Sequence, residues 1–107
     1  MFTAEEARVM TQHGIDALSD RYYNEYRSKA QKAIQEAIDF GRYETTFNIM
    51  LGGHPRVDKL EEAYNRLIDA LTNDYHYKVT VEERKIHGVG RTYYKMYVTV
   101  SWENCGN

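Results

Sequence analysis

Three side chains near the C-terminal end of the chain are spaced in a way that suits binding of a planar anionic ligand. Within the segment RTYYKMYVTVSW, Tyr93, Lys95 and Tyr97 occupy every second position. Because alternate residues of a strand point to the same side, these side chains are predicted to share one face. Tyrosine rings stack on a nucleobase, and lysine neutralises a phosphate. We therefore predict a ligand-binding surface here, to which the preceding strand adds His76 and Lys78.

The same surface also fits roles that need no small ligand. Tyr93 and Tyr97 can stabilise a solvated sheet face as cross-strand partners, or they can bury against a second subunit. Ten tyrosines against three phenylalanines and one tryptophan favour contact surfaces, because tyrosine joins an apolar ring to a polar group. Self-association, another protein and a small polar ligand all stay open as explanations of this face.

A second candidate site is the loop GGHPR at residues 52–56, which precedes a predicted helix. Glycine amides and a helix N-terminus favour an anion, and His54 and Arg56 would add side-chain donors. A plain connecting loop explains the same residues, and Asp58 immediately behind them opposes an anion. Both interpretations of the loop are kept.

A third candidate lies on a long predicted helix, where cations and aromatic rings are interleaved. The cations are Arg21, Arg27, Lys29 and Lys32, and the rings are Tyr22, Tyr23 and Tyr26. Such a combination can bind RNA or DNA. The net charge of −2, however, gives no general attraction to phosphate backbones. Nucleic acid binding is therefore an alternative to the first hypothesis.

Motifs for catalysis or metal binding are absent from the sequence. The four histidines do not fall at metal-ligand spacings, and one cysteine, Cys105, cannot build a zinc site. A nucleophile elbow, a Walker loop, a dinucleotide fingerprint and the paired-histidine phosphoesterase motifs are all missing. We predict a protein without enzymatic activity, metal or cofactor. The lone cysteine, the lack of a signal peptide and the lack of a long apolar run predict a cytoplasmic chain without membrane contact.

Apolar periodicity predicts three helices. Thr3 and Glu6 form a capping box for a short helix from Ala4 to about Gln12, and Gly14 permits a break or a kink. A long helix follows from Ile15, and Gly41 is placed to end it. The third helix has its capping box at Asp58 and Glu61, an apolar stripe from Leu60 to Leu71, and its end near Asn73.

Alternation of apolar and polar residues predicts three strands, at residues 42–50, 75–86 and 91–102, with the last two joined by the hairpin loop HGVGR. The element order is α-α-β-α-β-β. A chain of 107 residues has room for one core, so we predict a single α+β domain over residues 1–107. Its three-stranded antiparallel or mixed sheet would carry the helices on one face.

The layout resembles that of small accessory proteins of tailed bacteriophages. The segments that carry the resemblance are TAEEARVMTQHGI, AIQEAIDFGRYE, LEEAYNRLIDAL, YHYKVTV and the final VSW. The tyrosine-rich last strand and the LGGHPR loop depart from that pattern. Proteins of this type have no assigned catalytic residues, so no functional residue is carried over.

The resemblance implies a non-enzymatic protein that acts in the host cytoplasm. Some small phage proteins bind and sequester nucleotide second messengers of host immunity, and others block a host defence protein. The leading hypothesis is therefore an oligomeric anti-defence protein that binds a nucleotide-type signal or a host protein. One alternative is a homo-oligomeric assembly protein whose tyrosine-rich strand face is a subunit interface. The other is a small nucleic-acid-binding protein.

Overall fold

The fold is α+β, with two helices and a three-stranded antiparallel sheet. A computed structural model describes residues 1–53, 56–88 and 90–103. Its elements are helix α1 (Ala4–Asp39), strand β1 (Glu44–Gly52), helix α2 (Val57–Asp69), a π-helical turn (Ala70–Asp74), and strands β2 (Lys78–Gly88) and β3 (Arg91–Ser101). The predicted fold class is confirmed, and the sheet is antiparallel throughout.

Helix α1 is continuous, so the prediction of two helices separated at Gly14 was wrong. A single glycine in a helix costs about 1 kcal/mol relative to alanine but leaves the backbone hydrogen bonds intact. Both predicted ends are confirmed. The Thr3 hydroxyl accepts a hydrogen bond from the Glu6 amide at 3.1 Å. At the other end Gly41 has φ +71°, and the Arg42 amide donates to the Ala37 carbonyl oxygen at 2.8 Å.

Helix α2 begins two residues earlier than the predicted capping box requires, at Val57. Arg56 is its N-cap, and no side chain caps the helix there. Asp58 therefore lies inside the first turn, where its charge still favours the positive end of the helix dipole. Beyond Asp69 the helix widens into the π-helical turn, in which the Tyr75 amide donates to the Ala70 carbonyl oxygen at 2.9 Å.

The sheet has the order β1-β3-β2, with the C-terminal strand in the centre. Phe47 and Val81 flank Val98 in the register of the three strands, and Ile49 and Glu83 flank Met96. Side chains on this face of β1 and β3 are buried under α2 and the second half of α1. The opposite face, which we call the open face, carries Tyr93, Lys95 and Tyr97. The predicted register of the last strand is therefore correct.

The first half of α1 lies outside this core. Residues 1–14 are exposed, whereas Ser19, Ala30, Ile34 and Ala37 are buried further along the helix. A 36-residue helix is about 54 Å long, which accounts for most of the 57 Å longest dimension. No helix in the described part of the chain is long and apolar enough to cross a bilayer.

Two glycines at the end of β1 allow the central strand to approach closely. A Cβ atom on Gly52 would lie 2.9 Å from the carbonyl oxygen of Thr92, and one on Gly53 would overlap the Tyr93 ring. Gly53 also has φ +70°. The ring of Tyr93 therefore packs over Gly53, and the glycine pair has a packing role at the end of β1.

We expect Gly53→Ala to lower the free energy of unfolding by about 2 kcal/mol, because it adds both backbone strain and overlap with Tyr93. Gly41→Ala is the matched control: its φ is +71°, but an added Cβ meets nothing within 4 Å. Urea denaturation gives the free energy of unfolding of both variants, and the difference between their losses isolates the cost of overlap with the Tyr93 ring. Equal losses in the two variants would contradict the contact with Tyr93.

Candidate functional site

Only part of the predicted ligand surface comes together on the open face. Tyr93, Lys95 and Tyr97 are half-buried neighbours on β3. Arg84 on β2 is opposite Lys95 in the register. The guanidinium carbon of Arg84 lies 4.8 Å from the centroid of the Tyr97 ring, and the Lys95 Nζ lies 5.3 Å from it. The ring of Tyr97 is therefore already in contact with two cations.

Lys78 lies far from this cluster. It pairs with Ser101, four residues from Tyr97 and eight from Tyr93. At about 3.3 Å per residue, these separations are roughly 13 and 26 Å along the strand. The open face is consequently an extended surface, and one small ligand could not contact all of the residues that we predicted for it.

His76 is not on the open face, because β2 begins at Lys78 and not near Tyr75 as predicted. It has φ +61°, a left-handed conformation that few residues other than glycine adopt. It lies in the short connection between the π-helical turn and β2. The predicted assignment of His76 to the second strand was therefore wrong.

The fold gives little support to the predicted anion site in the GGHPR loop. Arg56 is exposed and occupies the N-cap position of α2 without a capping side-chain hydrogen bond, while His54 lies outside the described residues. Because Gly52 and Gly53 allow β3 to approach β1 closely, the presence of these glycines is explained without a bound anion.

A deeper concavity lies between α1 and the π-helical turn, and we call it the tyrosine crevice. Its volume is about 310 Å³, which is at the lower end of the range for small-molecule sites. Apolar side chains form its inner part, and three tyrosines, one arginine and one glutamine complete it. The lining residues are Tyr23, Arg27, Ala30, Gln31, Ile34, Leu67, Ala70, Leu71, Tyr75 and Tyr77.

Two of the crevice tyrosines are brought there by the irregular end of α2. The π-helical turn closes with the hydrogen bond from Tyr75 to Ala70, and the Tyr77 amide donates to the Leu71 carbonyl oxygen at 2.9 Å. The left-handed His76 lies between them. Tyr77 is further supported by Trp102, whose ring meets it edge-on with centroids 6.1 Å apart. Tyr75 remains 51% exposed at the rim.

The third tyrosine is fixed by a contact between the two helices. Arg66 of α2 lies over the Tyr23 ring, with its guanidinium carbon 4.4 Å from the centroid. The same guanidinium donates to Ser19 Oγ at 3.2 Å and to Asp20 Oδ1 at 2.7 Å. Ser19 is the one buried polar residue among those described. Arg66 therefore orients Tyr23 and joins α1 to α2.

The four α1 cations that we predicted as a nucleic-acid site do not form one patch. Arg27 lines the crevice, while Arg21 lies 3.9 Å from Glu25 and, like Lys29 and Lys32, is exposed. Tyr22 and Tyr26 pack on the core and on each other, with ring centroids 6.3 Å apart. Burial, together with the neighbouring Tyr22 and Glu25, raises the pKa of Tyr26 to about 12. This pair therefore belongs to the packing of α1.

A second groove, of about 470 Å³, lies between α2 and the sheet. Glu61 and Glu83 line it together with Tyr64, whose pKa is raised by burial and by the charge of Glu83. Its two carboxylates disfavour an anionic ligand. The groove is thus electrostatically opposite to the crevice, where the charged residue is Arg27.

Comparisons with other proteins do not extend these observations. No known protein family, curated protein or solved structure matches this chain. Within the described residues, no three histidine, cysteine, aspartate or glutamate side chains are grouped so that they could hold a metal ion.

Sequence reasoning missed the crevice, although part of it has a recognisable spacing. Tyr23, Arg27 and Gln31 recur at intervals of four residues and so lie on one side of α1. That spacing indicates a shared polar and aromatic edge. The contribution of Tyr75 and Tyr77 had no such signal, because it depends on the π-helical turn.

Proposed function

We propose that this protein is a non-enzymatic binding protein that holds a nucleotide-type ligand in the tyrosine crevice. By this we mean a planar aromatic ring that carries an anionic group. The observation that supports the proposal is the composition of the crevice, which combines three tyrosines, an apolar floor and the Arg27 guanidinium. Aromatic rings and apolar side chains accept the flat ring, and a cation accepts the charge.

The arrangement of polar groups suggests how such a ligand would be oriented. Ala30, Ile34 and Leu71 are buried, so the ring of the ligand would enter on their side. Arg27 and Gln31 are exposed on α1, so the anion would stay near the surface. This orientation leaves the phosphate or carboxylate partly hydrated, which avoids the cost of burying a charge.

The crevice is a better candidate than the open face for two reasons. It is concave, whereas the predicted open-face residues are spread over roughly 26 Å of strand. The Arg27 side chain also has no ion pair or hydrogen bond with another described residue, whereas the Arg84 side chain already binds Glu82 at 3.2 Å and contacts Tyr97. A ligand on the open face would have to displace those contacts.

The biological role that we assign is sequestration. The resemblance to small phage accessory proteins supports a protein that removes a nucleotide signal of host defence in the host cytoplasm. Capture of a host protein is the second candidate, and the open face favours it. There Met50 and Ile86 are exposed near Tyr93, an apolar and aromatic combination that suits a protein partner.

Thermal unfolding against a panel of nucleotides tests the proposal. Cyclic di- and trinucleotides, ADP-ribose, AMP and phenyl phosphate are the ligands, with inorganic phosphate and phenol as the two halves of the simplest one. At about 100 times its Kd a ligand adds about 2.7 kcal/mol of stability, and this is readily measured. We expect stabilisation by a compound with both ring and anion. Absence of a shift with every compound would overturn the proposal.

Two matched pairs of variants locate the binding. Arg27→Gln should weaken binding about tenfold, since it removes a charged contact. Lys32→Gln is its control, because it removes the same charge elsewhere on α1. Tyr75→Ala should weaken it by a similar factor through lost stacking. Tyr43→Ala is its control, because Tyr43 is 59% exposed and lies outside the crevice. Binding that survives both crevice variants but is lost in Tyr97→Ala would assign the ligand to the open face.

A further inference from the structure

Strand β2 offers a complete, unoccupied sheet edge. Among the described residues it pairs with β3 alone, although it is eleven residues long. Every residue of β2 except Val79 is exposed. Along its outer side, every second residue therefore presents an amide and a carbonyl group to solvent. Such an edge can accept another strand through backbone hydrogen bonds.

The charges on this edge are arranged so that β2 complements itself. In an antiparallel pair with a perpendicular two-fold axis, residues directly opposite each other lie on the same face of the sheet. If the axis passes through Glu83, the midpoint of Lys78–Gly88, all eleven residues find a partner. Glu82 of one copy is then opposite Arg84 of the second copy, and this pair occurs twice. Within each copy Arg84 Nε already lies 3.2 Å from Glu82 Oε1. The four side chains would therefore alternate in sign around the axis, and neither intramolecular ion pair would have to break.

The exposed apolar residues of β2 also gain contacts in this register. Ile86, which is 39% exposed, comes opposite Thr80 of the second copy on the open face. Val81, which is 42% exposed, comes opposite the aliphatic part of Lys85. Moving the axis to Arg84 would form two Glu83–Lys85 pairs, but it would place Arg84 opposite Arg84 and Glu82 opposite Ile86. It would also leave Lys78 and Val79 without partners in β2.

We infer that two copies of this chain associate through β2, antiparallel and centred on Glu83, to form one continuous six-stranded sheet. The strand order would be β1-β3-β2 in one copy, continued by β2-β3-β1 of the second copy. The only directly opposed like charges are the two Glu83 carboxylates at the axis. This inference does not depend on ligand binding in the crevice, since no crevice residue belongs to β2.

The register predicts opposite effects for two adjacent substitutions that change the charge equally. Glu82→Gln removes two attractive pairs from the dimer and should weaken it about fivefold. Glu83→Gln removes the repulsion at the axis and should tighten it about threefold. Both side chains are exposed, so the fold tolerates either change. Sedimentation equilibrium over a concentration series measures the dissociation constants.

A charge exchange and a cysteine scan complete the test. Arg84→Glu should weaken the dimer, and Glu82→Arg with Arg84→Glu should restore it, because the exchange recreates both pairs. In a Cys105→Ser background, single cysteines at positions 82, 83, 84 and 85 should give the fastest intermolecular disulfide at position 83. A protein that is monomeric at every concentration, or fastest cross-linking at any other position, would overturn the inference.

Discussion

Leu67→Ala is expected to lower the free energy of unfolding by about 3 kcal/mol, because Leu67 is 1% exposed and joins α2 to the core. Removing a buried leucine side chain forfeits its transfer free energy and leaves a cavity. Leu67 also lines the tyrosine crevice, so that cavity opens into the crevice. Urea denaturation gives the change in stability, and ligand titration gives the change in affinity.

Ile49→Ala is the matched control for this prediction. Ile49 is also 1% exposed, but it lies in β1 and does not line the crevice. Its loss should cost a comparable or larger free energy, since the cavity stays enclosed. Ligand affinity should change in Leu67→Ala and remain unchanged in Ile49→Ala. Equal affinities in the two variants would contradict the placement of the ligand beside Leu67.

The second large effect is expected for Arg66→Ala, at about 2 kcal/mol of lost stability. The substitution removes a contact with the Tyr23 ring, an exposed ion pair with Asp20 and a hydrogen bond to the buried Ser19. The ion pair itself contributes little because both groups are partly solvated. Most of the cost comes from Ser19, which is left in the interior with one fewer partner.

Two further variants separate these contributions. Arg66→Lys keeps the charge but lacks the planar fork that reaches Ser19, Asp20 and Tyr23 together, so it should recover less than half of the loss. Ser19→Ala in the Arg66→Ala background should recover part of it, because no buried hydroxyl then remains unsatisfied. If Ser19→Ala lowers stability equally with and without Arg66, the two residues are not coupled and this explanation fails.

The elements that follow from local rules were predictable from the sequence. The Thr3 cap, the Gly41 end of α1 and the alternation along β3 each depend on a few neighbouring residues, and each has the predicted geometry. The register of β3 was fixed by its apolar face, because a shift of one residue would expose Val98 and Val100. This is why Tyr93, Lys95 and Tyr97 fall on the open face.

The features that were missed depend on tertiary context. A glycine at position 14 permits a break, but nothing local decides whether the helix hydrogen bonds continue through it. The widening of α2 at Ala70–Asp74 and the left-handed His76 together move the start of β2 to Lys78. No periodicity in the sequence encodes that turn, so the position of Tyr75 and Tyr77 beside α1 could not be foreseen.

The candidate residues changed for the same reason. Spacing along one strand groups Tyr93, Lys95 and Tyr97 correctly, but the distance from them to Lys78 depends on how β2 and β3 pair. The crevice combines residues from α1, α2, the π-helical turn and the segment before β2. A site assembled from four segments becomes visible only when the packing of those segments is known.

Locating the ligand on the protein by NMR tests most directly whether the tyrosine crevice is the binding site. Methyl and amide spectra would be recorded while AMP, or the strongest ligand of the nucleotide panel, is added. We predict that the shifted resonances belong to Ala30, Ile34, Ala70 and Leu71, with little change at Lys95, Tyr97 and Thr99 on the open face. Shifts confined to the open face would contradict the assignment of the tyrosine crevice as the binding site.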